Sequence, residues 1–206
     1  MKILFLRSGP LRVNTYFLVN EETGKAICID GGENYKLVKR TEEENGFKIN
    51  YLLLTHAHFD HAGNGAKLQA DGAKVVISEK DAEKLLNDDN LAIYFGRDFQ
   101  PFKADITVNG GEELELNGIK VKVIATAGHT DGSLSFLVDD MLFTGDTLFF
   151  ESVGRTDFKT GNRAALINSV KTLFALDGDY KVFPGHEDFT TLSHEREYNV
   201  FKDVEI

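Results

Sequence analysis

Short apolar runs separated by polar clusters dominate the first third of the chain. Residues 3–6, 16–19 and 26–29 each hold enough branched and aromatic side chains for a strand, and the third run ends at Asp30-Gly31-Gly32, where two glycines admit a tight turn. Three short strands in succession predict a meander. Between Asn34 and Glu44 the apolar positions Tyr35, Leu37 and Val38 sit among charges, the pattern of a surface helix with a narrow buried stripe. Residues 51–55 then read as a strand buried on both faces. A short helical stretch over 62–70, a strand over 74–77 and a helix over 79–86 opened by Ser78-x-x-Asp81 follow, so strand and helix alternate here.

Apolar and polar residues alternate over 113–125 on both sides of Asn117-Gly118, a strong hairpin signal, and strands over 134–138 and 141–144 flank Asp139-Asp140 as a second hairpin. Over 163–176, Leu166, Ile167, Val170, Leu173 and Phe174 recur at helical spacing, and a strand over 181–183 precedes a polar, helical C-terminus. The whole predicts an α+β chain of two mainly antiparallel β halves with helices outside. Pro10, Pro101 and Pro184 fall singly and nothing marks a linker, so residues 1–206 read as a single domain.

Composition narrows the partners. With 33 acidic against 23 basic side chains among 206 residues, the formal charge of −10 repels phosphate backbones and anionic lipid. Lys36, Lys39 and Arg40 are the longest cluster of cations, so neither nucleic acid nor a membrane surface is expected as a partner. No apolar stretch approaches the roughly 20 residues of a membrane span. Residues 3–6, cut off by Arg7, are too short for the apolar region of a secretion signal. Cys28 lies among apolar neighbours and reads as a core residue without a disulfide partner in the chain. These features predict a cytoplasmic monomer or small homo-oligomer.

The candidate chemistry is concentrated in Thr55-His56-Ala57-His58-Phe59-Asp60-His61, directly after the buried strand. Alternation sends His56 and His58 to one side, and a turn at Asp60-His61 carries those two to a neighbouring point, so the spacing supplies two pairs of ligands. Three more candidates follow predicted strands and a glycine: His129 in Ala127-Gly128-His129, Asp146 in Thr144-Gly145-Asp146, and His186 in Pro184-Gly185-His186. Strand ends are where a β scaffold presents residues to a shared cleft, and imidazole with carboxylate suits Zn²⁺, Fe or Mn.

Taken together, the 55–61 segment, Gly-His129, Gly-Asp146 and Gly-His186 resemble the metallo-β-lactamase superfamily over nearly the whole chain. Gly145-Asp146-Thr147-Leu148-Phe149, Val153-Gly154-Arg155-Thr156-Asp157-Phe158 and Pro184-Gly185-His186 with His194-Glu195-Arg196 are similar to single-domain glyoxalase II-like, or hydroxyacylglutathione hydrolase-like, proteins. The resemblance implies a four-layer αββα sandwich with a metal pair at one edge. It implies that His56, His58 and His129 bind one divalent ion, zinc by preference, that Asp60, His61 and His186 bind a second, and that Asp146 bridges them. The implied reaction is hydrolysis of a small-molecule thioester of an S-2-hydroxyacyl thiol by a metal-bridging hydroxide, which Asp60 also orients.

Two departures matter. Two-domain glyoxalase II proteins carry Gly-Lys-x-Tyr where this chain has Gly154-Arg155-Thr156-Asp157, and they end in a helical domain for which there is no counterpart here. Persulfide dioxygenases share the Gly-Arg-Thr-Asp-Phe segment and the histidines but use one iron on the equivalents of His56, His129 and Asp146. A mono-iron persulfide dioxygenase is therefore the first alternative, and a non-catalytic metal-binding protein the second.

Other residues carry two readings. Arg155 can clamp a substrate carboxylate with its guanidinium fork, or brace its loop against Asp157. Asp30 can orient a ligand histidine or merely close the Gly31-Gly32 turn. Tyr94, Phe95, Phe99 and Phe102, in the least regular stretch, are expected to pack a long loop rather than line a pocket, and His194 is expected to lie outside the ligand set.

Overall fold

Alternation along the strands sorts the apolar side chains into separate layers. In the computed structural model, which describes residues 1–204, the first sheet holds β1 (Lys2–Ser8), β2 (Val13–Asn20), β3 (Lys25–Ile29), β4 (Lys48–Leu53), β5 (Lys74–Ser78) and β6 (Ile106–Val108) in that spatial order. Tyr16 and Leu18 of β2 with Ile27 and Ile29 of β3 point between the sheets, whereas Phe17, Val19, Ala26 and Cys28 point to the outer helices. The second sheet is built from β7 (Glu113–Leu116), β8 (Ile119–Ala125), β9 (Leu134–Val138) and β10 (Met141–Gly145). A two-strand ribbon of β11 (Leu148–Phe149) and β12 (Ser152–Val153) follows, and β13 (Lys181–Pro184) and β14 (Thr190–Thr191) complete that second sheet on the far side of β10.

Helices α1 (Tyr35–Asn45) and α3 (Gly65–Ala70) cover the first sheet through Val38 and Leu68. Helices α5 (Arg163–Phe174) and α6 (Leu192–Tyr198) cover the second through Val170, Leu173 and Leu192. The central layer is closed by Phe136 and Phe143, both without solvent exposure and each contributing about 2–3 kcal/mol by burial. This is an αββα arrangement.

The predicted meander is present, since β1–β2 and β2–β3 are antiparallel. Beyond β3 the first sheet is parallel at all three remaining pairings, because each next strand is reached by a helical crossover instead of a hairpin. The first sheet is therefore mixed, with three parallel pairings to two antiparallel, and the expectation of a mainly antiparallel half is corrected there. In the second sheet only β10–β13 is parallel, with α5 in the connection. The Asn117-Gly118 hairpin takes positive φ at both turn residues, 55° and 77°, which matches the twist of the flanking strands. Boundaries shift elsewhere: β4 starts at Lys48 and ends before Thr55, and the helix expected over 62–70 divides into α2 (Phe59–Ala62) and α3. The helix expected over 79–86 is α4 (Glu79–Ala82) followed by a 3₁₀ turn at Lys84–Leu86.

The topology places the ligand-bearing segments together. Strands β8 and β10 each run antiparallel to β9, and β13 runs parallel to β10, so all three end at one edge of the second sheet. The first sheet meets that edge directly: Leu134 N–H donates to the Thr55 carbonyl at 2.8 Å, and Asn14 N–H to the Gly185 carbonyl at 2.7 Å.

A candidate metal centre where the two sheets meet

The segment after β4 leaves the sheet at Leu54 and turns at once into α2. His58 stands extended at the helix N-cap, while Asp60 and His61 lie within the helix, so four donors gather in less than two turns of chain. Asp30, at the end of β3, fixes this arrangement. Its carboxylate accepts from Thr55 N–H at 2.9 Å, from the Thr55 hydroxyl at 2.8 Å and from His61 Nδ1 at 2.9 Å. Of the two roles open to Asp30, it is the ligand histidine that the carboxylate contacts. The other three donors come from the second sheet, one from each strand end. Glycine is required before all three: a Cβ on Gly185 would overlap Asp146 Oδ1, one on Gly145 would overlap the Thr55 side chain, and one on Gly128 would overlap Leu166, including its backbone.

The seven predicted ligand residues meet in overlapping groups: His56, His58 and His129; His56, His61 and Asp146; and Asp60, His61 and His186. His129 Nδ1 contacts the Arg155 carbonyl at 2.7 Å and His186 Nδ1 the Leu11 carbonyl at 2.9 Å. Carbonyls only accept, so each Nδ1 carries the hydrogen and each Nε2 is left as a bare lone pair facing the centre. His61, whose Nδ1 donates to Asp30, adds another, and its Nε2 lies 3.3 Å from His186 Nε2. Two imidazole nitrogens aimed at each other in this way repel unless a cation, a proton or a metal ion, lies between them. His56 Nε2 and Asp146 Oδ1 are buried without a hydrogen-bond partner among the described residues.

Distances around the centre agree. His58 Nδ1 lies 2.9 Å from His129 Nε2, Asp146 Oδ2 lies 3.4 Å from His129 Nε2, and Asp146 Oδ1 lies 3.3 Å from His61 Nε2. Donors bound tetrahedrally at about 2.0–2.1 Å would stand roughly 3.3 Å apart. The donor set fits divalent transition metal. Titration behaviour follows the same charge logic: burial, then the neighbouring imidazoles, holds His56 well below the usual histidine range, and burial with His129 takes His58 down to about 3. Burial opposes charge at His61 and His186 as well. There, however, the carboxylates prevail, Asp60, Asp146 and Asp30 raising His61, and Asp146 and Asp60 raising His186. Asp146 stays far below the ordinary carboxylate range because His186, His61 and His129 outweigh its burial.

One structural residue was not anticipated. Asp81, fully buried, accepts from Ala57 N–H at 2.8 Å, from the Thr130 hydroxyl at 3.0 Å and from Lys84 Nζ at 2.7 Å. It thereby ties the His56–His58 segment to the loop that carries His129. Its sequence signal was absorbed by the helix start, and Ser78 Oγ does accept from Asp81 N–H.

A cavity of about 820 Å³ opens over the centre, lined by His58, Asp60, His129, Asp146 and His186 and walled by Phe59, Phe95, Phe149, Phe150 and Phe158. The aromatic group of the long loop therefore divides. Phe99 and Phe102 pack beneath α3, Phe95 faces the cavity against Phe59, and Tyr94 is exposed. Arg155 lies at the rim with its guanidinium paired to Asp157 at 2.6 and 2.7 Å and stacked over Phe158. His194 pairs with Glu151 at 3.0 Å and stacks on Phe150, outside all three ligand groups.

An αββα sandwich with a seven-residue His/Asp centre at one edge defines a metallo-hydrolase class, and comparison with known proteins gives it a family. Residues 8–186 match the Metallo-beta-lactamase superfamily, and the chain belongs to it. It is 34% identical over 198 residues to a probable metallo-hydrolase of Streptococcus pyogenes, spanning 91% of this chain and 84% of that one. It is 33% identical to the hydroxyacylglutathione hydrolase GloC of Haemophilus influenzae over 98% of both chains. Among solved structures, the B3 metallo-beta-lactamase BLEG-1 superposes with a TM-score of 0.93 at 28% identity, covering 98% of this chain and 100% of its own. ETHE1 from Myxococcus xanthus gives 0.83 at 29% identity, with 97% and 84% covered, and the di-iron-bound form of TTHA1623 gives 0.85 at 30%, with 96% and 99% covered. Among the described residues no helix is long and apolar enough to cross a membrane.

Proposed function

We propose that the chain is a metal-dependent hydrolase of thioesters of the S-2-hydroxyacyl-thiol type, working with two divalent ions. The observation that carries this reading is the position of Asp146 between the two histidine groups: Oδ2 lies 3.4 Å from His129 Nε2 and 3.6 Å from His186 Nε2, and Oδ1 lies 3.3 Å from His61 Nε2. A carboxylate so placed suits a bridge between a site of His56, His58 and His129 and a site of Asp60, His61 and His186. The GloC relative supports the substrate class.

When bound, divalent ions supply a Lewis acid for the carbonyl and hydroxide at neutral pH, since bound water ionises near pH 7 rather than 15.7. The residues do the rest. Asp60 Oδ2, 3.2 Å from His186 Nε2 and held ionised by His61 despite its burial, accepts a hydrogen bond from the attacking oxygen and keeps it in line. The Phe59, Phe95 and Phe158 wall excludes water from the reacting carbonyl, which strengthens every charge interaction there. A thiolate is a good leaving group, so no strong general acid has to be placed opposite Asp60, and no serine or cysteine nucleophile is needed.

The Gly154-Arg155-Thr156-Asp157-Phe158 segment favours the mono-iron persulfide dioxygenase as the second reading. Metal analysis of protein purified without added metal, together with a thioester panel and an oxygen electrode, separates the two. About two ions per chain and thioester turnover are expected; one iron with oxygen uptake on a glutathione persulfide overturns the hydrolase reading.

A further inference from the structure

Three guanidinium groups line the cavity, and they differ in what holds them. Arg155 is closed by both oxygens of Asp157 and by the Phe158 ring. Arg7 is spent on Asn14 at 2.9 Å, on Asp188 at 3.1 Å and on the Glu187 carbonyl. Arg12 has no side-chain hydrogen bond or ion pair among the described residues, and it lies exposed at the mouth. It also stands where an arginine is disfavoured. Its φ is 56°, in a turn closed by its own N–H on the Gly9 carbonyl at 3.1 Å, a conformation that glycine adopts without strain. The adjoining Leu11 carbonyl holds His186 Nδ1 at 2.9 Å, so the turn is anchored to the centre and presents the next side chain beside it.

We propose that Arg12, rather than Arg155, is the specificity-determining cation, selecting substrates that carry a carboxylate on the acyl or thiol group next to the scissile bond. The proposal rests on the thioester reading for its substrate. An unpaired guanidinium forks onto a carboxylate without first breaking an internal pair, whereas Arg155 would have to leave Asp157. Glu187 also lines the mouth and would repel the same anion, which makes the free charge on Arg12 the counterweight that such a substrate needs. Strained backbone kept at the rim of a site fits a residue retained for contact.

The test compares charged with neutral substrates, using the metal-loaded protein: one acyl group on glutathione or on the smaller, neutral N-acetylcysteamine, and, for a pair that differs in the terminal carboxylate against a methyl, succinyl against butanoyl on N-acetylcysteamine. For Arg12→Gly the kcat/KM ratio of charged to neutral substrate should fall about tenfold in at least one pair, mostly through KM, with Arg12→Lys intermediate. Because glycine relaxes the turn, the same variant should melt no lower than the parent. Ratios unchanged in both pairs, or a fall matched by Arg155→Gly, overturn the proposal. Should no thioester be turned over at all, the hydrolase reading has failed; the proposal is then judged by calorimetric titration with S-methylglutathione and neutral S-methyl-N-acetylcysteamine, standing if Arg12→Gly abolishes the preference for the charged thioether and falling if no such preference exists in the parent.

Discussion

The two sheets supply the centre in opposite ways. The first contributes four donors from one short segment after β4, braced from behind by buried carboxylates, Asp30 on Thr55 and His61 and Asp81 on Ala57. The second contributes one donor from each of three strand ends, two of them braced by backbone carbonyls, Arg155 for His129 and Leu11 for His186, with glycine clearing space for the approach. Ionised side chains hold several groups at once and can be removed by substitution, whereas backbone braces cannot. The first half should therefore fail as a block, and the second ligand by ligand.

Asp146→Ala breaks this contrast most completely, because that one residue faces both groups. It should lower metal content on both sides and abolish turnover, read by metal analysis beside thioester hydrolysis. Retention of two ions would remove Asp146 from the bridge.

Asp81→Ala comes next. It leaves Lys84, with 6% of its side chain exposed, holding only the surface carboxylate Asp131 and the Lys80 carbonyl, and strips an acceptor from Ala57 N–H and Thr130. A loss of about 3 kcal/mol in urea unfolding is expected, together with weaker metal binding. Asp30→Ala should cost about 10- to 100-fold in metal affinity or activity, because His61 loses the partner that fixes its ring. If either variant loosens only one histidine, the block behaviour assigned to the first sheet is wrong.

His186→Ala should release one ion and keep the other, with hydrolysis falling steeply; full activity with one ion would place the chemistry at His56, His58 and His129 alone. The smallest effect belongs to His194→Ala. Its side-chain contacts are a surface pair with Glu151 and the Phe150 and Tyr198 rings, so metal content and turnover should be unchanged and stability should drop by about 1 kcal/mol at most.

Legibility in the sequence followed the same division. The 55–61 segment could be read because its donors are adjacent, and the three single donors because each sits behind a glycine after a predicted strand. Asp81 could not: its partners Ala57 and Thr130 lie 24 and 49 residues away, and no local pattern encodes such a meeting. For Arg155 the two readings were equally local, and the geometry places the guanidinium on Asp157. Arg12 carried no signal, since a positive φ at a non-glycine residue and the lack of a partner are both properties of the folded turn.

Periodicity alone determined β1 to β5, β7 to β10 and β13, though not the short strands β6, β11, β12 and β14, and it determined that the histidines fall at strand ends, because these depend on neighbours a few residues apart. Only the tertiary structure decided that half of the first sheet runs parallel, that Asp81 joins two ligand loops and that Arg12 is left free at the mouth. Those outcomes depend on which distant segments arrive beside one another, and that is settled by the packing of whole layers.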